Sequence, residues 1–155
     1  MKIKQDIVSI ATINYIEIKT GAYKFRLFIR RKTMIEIKKV DSIERLNFLK
    51  EKSNIKEKYV LAFEAIDKNE SLGYCIYKQN YDNIGRILAL CLEDKALTDT
   101  LGYGICKAVL NSMDLDGIKK VYWEENNQEL CKRLLFKKEN EKYLLNLEGY
   151  FSSGC

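Results

Sequence analysis

A mixed α/β (α+β) domain is the fold class this sequence predicts: an antiparallel meander, then a parallel strand-helix-strand crossover, with helices on both faces of one sheet. Three observations carry it. Apolar residues alternate with polar ones through much of the first two thirds, as strands with one buried face require. In the final third they recur every three or four residues, as along one side of a helix. The chain has 155 residues, 46% of them apolar, enough for a single core and a single domain spanning 1–155.

Taking the elements in order, Ile16 and Ile18 alternate with Tyr15, Glu17 and Lys19, and Phe25, Leu27 and Ile29 alternate with Lys24, Arg26 and Arg30. Thr20-Gly21 is the natural turn between these two strands. A third alternating stretch runs from Met34 to Val40. Asp41 then caps a helix, with Glu44 three residues on as in a capping box and Ile43, Leu46 and Leu49 at helical spacing. The segment Tyr59–Ile66 is strand-like and ends in the turn Asp67-Lys68-Asn69-Glu70, followed by strands at Ser71–Lys78 and Arg86–Leu92. Ile87-Leu88-Ala89-Leu90 is apolar without alternation, which suits a central strand covered on both faces.

A polar loop, Glu93–Thr100, leads to Leu101-Gly102-Tyr103-Gly104 and a helix marked by Ile105, Ala108, Val109 and Met113. Asp114–Gly117 ends that helix. Ile118–Trp123 then reads as a strand, Gln128–Leu135 as a short helix, and Lys142–Leu147 as a last strand after the Glu139-Asn140-Glu141 turn. Strand, helix, strand at this spacing implies a parallel crossover. The first 33 residues form a β extension, whose exposed edge is able to pair with a second copy in a homodimer.

Composition excludes much chemistry. The chain has no His and no Pro, which removes Ser-His-Asp triads, Cys-His nucleophiles and His-ligated zinc. No metal site is expected: Asp114 and Asp116 flank Gly117 as an ordinary turn would, and no further ligands follow at regular spacing. The five cysteines, Cys75, Cys91, Cys106, Cys131 and Cys155, form no CxxC pair and point to reduced thiols in a cytoplasmic protein. The net charge of +5 is spread along the chain. Its one basic cluster, Arg30-Arg31-Lys32, reads as a solvated strand edge, so neither nucleic acid nor a membrane is an expected partner. Tyr74, Tyr77 and Trp123 fall within strands and serve packing. The start of the chain shows no signal peptide.

The glycines before the second long helix carry the functional reading. Gly102 and Gly104 would let a ligand approach the backbone, and the amides of a helix N-terminus favour phosphate oxygens. Close packing of helix on sheet explains the same residues as well.

The order of elements over residues 34–151, with Gly102 and Gly104, resembles the GNAT acetyltransferase superfamily. In that family a Gln or Arg, two residues, Gly, any residue, then Gly or Ala hold the pyrophosphate of acetyl-CoA. The resemblance implies an acetyl-CoA-dependent N-acetyltransferase acting on a small-molecule or peptide amine by direct attack. It places the backbone of Leu88, Ala89 and Leu90 beside the pantetheine, and Leu101, Gly102, Tyr103, Gly104 and Ile105 at the diphosphate. Downstream, Asn126 and Asn127 precede Glu129-Leu130-Cys131-Lys132-Arg133-Leu134-Leu135-Phe136, which has the outline of the family's next cofactor segment, with Asn126 a further contact. There Cys131 occupies the place of a tyrosine that protonates the departing thiolate, and Leu135 replaces a glycine. Asp99 stands where Gln or Arg is usual, with the wrong sign for a pyrophosphate; Lys95 or Lys107 would offset it. Glu93, at the end of the central strand, is the nearest carboxylate to serve as base. The alternative is a binding or structural module that keeps the fold and no longer binds CoA.

Overall fold

The computed structural model describes residues 16–18, 24–28, 34–124 and 127–152. The expected turn at Thr20-Gly21, the Arg30-Arg31-Lys32 cluster, Asn126 and Cys155 lie outside them. Among the described residues nine strands make one sheet: β1 (Ile16–Ile18), β2 (Lys24–Phe28), β3 (Met34–Lys39), β4 (Leu61–Asp67), β5 (Glu70–Gln79), β6 (Ile84–Leu92), β7 (Lys120–Trp123), β8 (Lys137–Glu139) and β9 (Lys142–Asn146). Their spatial order is β1-β2-β3-β4-β5-β6-β7-β9-β8. The helices among the described residues are α1 (Ile43–Lys52), α2 (Tyr103–Leu115) and α3 (Gln128–Arg133).

Strands β1 to β6 form the expected antiparallel meander. Its β4–β5 turn places Lys68 and Asn69 at φ 46° and 69°, the left-handed pair that matches the twist of a two-residue hairpin. The parallel pair is β6 with β7, joined through α2. The crossover expected through the short helix α3 is corrected: β9 runs antiparallel to β7. The cause is β8, which turns the chain back and pairs with β9. Lys137-Lys138-Glu139 is exposed at every position, so no apolar alternation marks it as a strand.

Two cores lie on opposite faces of the sheet. On one face α2 packs Ile105, Val109 and Met113 against Ile37, Phe63, Tyr77 and Ile87. On the other, α1 covers Val60, Ala62, Tyr74 and Ile76 with Leu49, while Leu88 and Cys91 pack at the margin. Each fully buried aliphatic side chain contributes roughly 1.5–3 kcal/mol, so β6 is held from both sides, as its continuous apolar run implied. The cap of α1 is Ser42 rather than Asp41: its side chain accepts from the Arg45 amide at 3.2 Å. Serine serves as well as aspartate there.

The stretch expected to be a polar loop is largely helical. Lys95–Leu97 form a 3-10 turn and Thr98–Gly102 a wider π-type turn. Gly102 itself is helical, with φ −58° and ψ −42°, so these turns run directly into α2. Asp94 supplies the cap, its Oδ1 accepting from the Ala96 amide at 2.9 Å.

Candidate functional site

The site is built on β6, whose two halves are paired differently. Residues Ile84 to Ile87 lie beside β7 in parallel register, Ile84 opposite Lys120 and Ile87 opposite Trp123. From Leu88 to Leu92 the strand continues along β5 only. The parting coincides with a bulge: Ile76 opposes Ala89 while Tyr77 opposes Ile87, leaving Leu88 as the extra residue. A bulge bends and twists its strand, which carries the second half of β6 away from β7. The free strand edge there borders a cleft of about 440 Å³ lined by Leu90, Cys91, Leu92, Lys95, Thr98 and Asn127.

Each lining residue has a local cause. Leu90 and Leu92 belong to the α2 face and Cys91 to the α1 face. Lys95 and Thr98 come from the two turns before α2, where the Thr98 hydroxyl donates to the Lys95 carbonyl at 2.7 Å. Asn127 caps α3, its Oδ1 accepting from the Leu130 amide at 3.1 Å. Arg133 of α3 donates to the Asp99 carbonyl and lies 4.6 Å over the Tyr103 ring, fixing α3 against the π-type turn. Behind it, Lys107 donates to Tyr150 Oη at 3.1 Å, and burial pushes its ammonium below the ordinary lysine range.

Leu88, Ala89 and Leu90 all stand on the free half of β6, Leu90 in the cleft wall. Leu101 and Ile105 are core residues. Tyr103 is half-buried beneath Arg133, and its amide donates to the Thr100 carbonyl. Helix amides expected to be free at 101–105 therefore belong to the interior of a helical run that starts near Lys95, since only the first turn of a helix leaves donors over. A Cβ on Gly104 would meet Ile37 Cδ1 at 3.2 Å, so this glycine lets α2 approach the sheet. A Cβ on Gly102 would meet Leu90, Leu92 and Thr98 at 3.4–3.6 Å.

Of the two residues expected in proton transfer, Glu93 directly follows β6, with its side chain 51% exposed and paired to Lys52 at 2.7 Å. Cys131 is fully buried in the α2-side core and is not among the cleft-lining residues. Leu135, where the resemblance expected a glycine, stands at φ 68° and 66% exposed, just past the end of α3. Left-handed backbone of this kind is where helices usually place glycine.

Sequence reading did not find the polar row crossing the α1 face. Lys38 opposes Glu64, Glu64 opposes Tyr74, and Tyr74 opposes Cys91 on four adjacent strands. From α1, Arg45 Nε reaches the two carboxylate oxygens of Glu64 at 3.2 and 3.3 Å. Ser53, at the end of α1, lies 2.7 Å from Tyr74 Oη and 3.6 Å from Cys91 Sγ. Desolvation pushes the Tyr74 phenol up to about 12. No local motif signals the row, because its members meet only through strand register. Among the described residues no group of His, Cys, Asp or Glu is arranged to hold a metal ion, and no helix is long and apolar enough to cross a membrane.

No family model and no curated protein matches the sequence. The structure, in contrast, is similar to solved acetyltransferases. The ribosomal-protein-S18-alanine N-acetyltransferase of Escherichia coli superposes with a TM-score of 0.60 at 10% identity, over 74% of this chain and 94% of that one. The IAA acetyltransferase of Bacillus cereus gives 0.57 at 11% identity over 72% and 99%. A Desulfovibrio desulfuricans protein assigned to the GNAT family gives 0.58 at 10% over 73% and 99%. Meander, parallel crossover and terminal hairpin are thus arranged as in these enzymes: the chain has the fold of the GNAT-family acetyltransferases.

Proposed function

We propose that this protein is an acetyl-CoA-dependent N-acetyltransferase that moves an acetyl group to the amine of a small molecule or peptide. The observation that carries the reading is the parting of β6 from β7 after Ile87, which leaves a strand edge facing a cleft. An extended pantetheine arm carries amide groups and pairs with such an edge as an added strand would. Leu90 and Leu92 supply the apolar wall and Lys95 a cation at the cleft, where a diphosphate would meet it. Bound acetyl-CoA supplies the activated acyl group. The protein's contribution is to hold the thioester against the strand and admit the amine, which is catalysis by positioning. Such a mechanism has no need of the imidazole that this sequence lacks.

One observation favours the second reading, a module with this fold that does not bind CoA: residues 101–105 lie within a continuous helical run, where the Tyr103 amide donates to the Thr100 carbonyl. Thermal unfolding with and without acetyl-CoA decides between the two. A ligand at about a hundred times its dissociation constant adds about 2.7 kcal/mol of stability, so a clear rise in Tm is expected. An unchanged Tm at millimolar acetyl-CoA would remove the enzyme reading and leave the module.

A further inference from the structure

Acyl transfer to an amine leaves a thiolate that needs a proton, and the cleft offers few groups able to give one. Leu90 and Leu92 have none, and the Lys95 ammonium is taken up by the diphosphate in the reading above. The Thr98 hydroxyl is engaged with the Lys95 carbonyl, and an amide such as Asn127 is too weak an acid. Cys131 is sealed in the core. Cys91 is left: a thiol, matched in kind to the thiol it would serve, lining the cleft and joined through Ser53 to Tyr74.

We propose that Cys91 is the proton donor to the CoA sulfur, with Ser53 and Tyr74 as positioning residues that aim its S–H bond into the cleft. The proposal rests on the acetyltransferase reading above. Of the two senses these contacts allow, the one with the Tyr74 phenol as donor to Ser53 Oγ and Ser53 as donor to Cys91 Sγ leaves the Cys91 proton directed outward. As the amine nitrogen bonds to the acetyl carbon, the carbon–sulfur bond breaks and the leaving sulfur takes the proton from Cys91. The Cys91 thiolate, held by the Ser53 hydroxyl, then receives the proton that the nitrogen must lose. One proton moves from nitrogen to sulfur, and no oxidant or metal is consumed. Burial keeps the phenol protonated, so it is able to donate into the chain. The charged groups around it are Lys52 paired with Glu93, Lys95 at the cleft, and Arg45 of α1 paired with Glu64 of β4.

The test uses the full chain carrying Cys155→Ser, so that the labelled thiol is Cys91 rather than the chain terminus. Three readouts are combined: Tm with acetyl-CoA, alkylation of Cys91 by iodoacetamide across pH, and mixed-disulfide formation with CoA disulfide followed by mass spectrometry. The expected result is that acetyl-CoA raises Tm and slows Cys91 alkylation at least tenfold, whereas 3′,5′-ADP, which lacks the pantetheine arm, does not protect. CoA disulfide should join Cys91, one CoA departing as thiolate. Ser53→Ala should move the alkylation curve up by roughly one pH unit, through loss of a hydrogen bond to the thiolate, and Tyr74→Phe should move it the same way by less. A Tm rise with Cys91 neither protected nor joined would overturn the proton-donor role and leave the acetyltransferase reading standing. An unchanged Tm would overturn both. Protection with an alkylation curve indifferent to Ser53→Ala and Tyr74→Phe would also overturn the proposal, because a merely packed serine and tyrosine would behave that way.

Discussion

The first half of β6, Ile84 to Ile87, has a strand on each side; the second half, Leu88 to Leu92, has a strand on one side and a cleft on the other. One short apolar strand thus does two jobs. In the first half its backbone is spent on the sheet and its side chains on the core. In the second its side chains still pack on both faces, but one row of main-chain groups faces the cleft. The change is made by a single extra residue, Leu88, at the point where Trp123 ends β7. An opening in a sheet therefore needs no long insertion, only a bulge and a neighbouring strand that stops.

The strongest way to break this contrast is to empty the junction. Trp123 is fully buried and packs edge-on against Phe136 with ring centroids 5.7 Å apart. Trp123→Ala should cost about 3–5 kcal/mol, the range for large aromatic truncations in cores. Leu92→Ala, at the half-buried end of the free half, should cost about 1 kcal/mol, since much of its surface stays wet in the folded state. Urea midpoints of the two variants measure the difference. Similar losses would show that the free half is as closed as the paired half.

A smaller effect separates two glycines that sequence alone treats as one motif. The Cβ of a valine at 104 would press on Ile37 Cδ1 at 3.2 Å, so Gly104→Val should cost about 1–3 kcal/mol by overpacking. At Gly102 the nearest neighbour is at 3.4 Å and the backbone is helical. Gly102→Ala should therefore gain up to about 1 kcal/mol from helix propensity. The reverse order in a denaturant titration would mean that these positions are not set by packing of α2 on the sheet.

The same pair of glycines explains how much could be read in advance. Periodicity located nearly every strand and helix, because alternation and helical spacing are written locally and both cores depend on them. It missed β8, whose Lys-Lys-Glu sequence buries nothing, and with it the direction of β9. It also treated residues 93–100 as a loop, since polar residues wind into exposed turns without leaving an apolar stripe. The site was legible only along the chain: Leu88 to Leu90 could be named from a family outline, as could the glycines. Cys91, Ser53 and Tyr74 could not, because strand register and the end of α1 bring them together from distant parts of the sequence. Leu135 shows the opposite limit. Its departure from glycine was visible in the sequence, but its φ of 68° needed coordinates.

The smallest expected effect concerns what holds the paired half shut. Just beyond Trp123, Glu124 accepts from Arg86 of β6 at 2.7 Å and lies 3.2 Å from Lys142 of β9, bridging the two neighbours of β7. Hydrogen bonding from Lys142, reinforced by Arg86, holds the Glu124 carboxyl below the usual carboxylate range. A lowered carboxylate pKa means that the folded state binds fewer protons than the unfolded one as pH falls. The stabilisation is therefore complete above the unfolded value, about 4.3, and is lost as pH drops through the lower folded one. All three groups are well exposed, so the pairing is worth no more than about 1 kcal/mol and is screened by salt. Glu124→Gln should remove that share of the acid-induced loss of stability below about pH 4.3 while leaving neutral-pH stability lower by the same small amount. An identical acid profile in the two proteins at low salt would mean that the clamp does not help hold β6 to β7, and that Trp123 and the strand pairing close this half unaided.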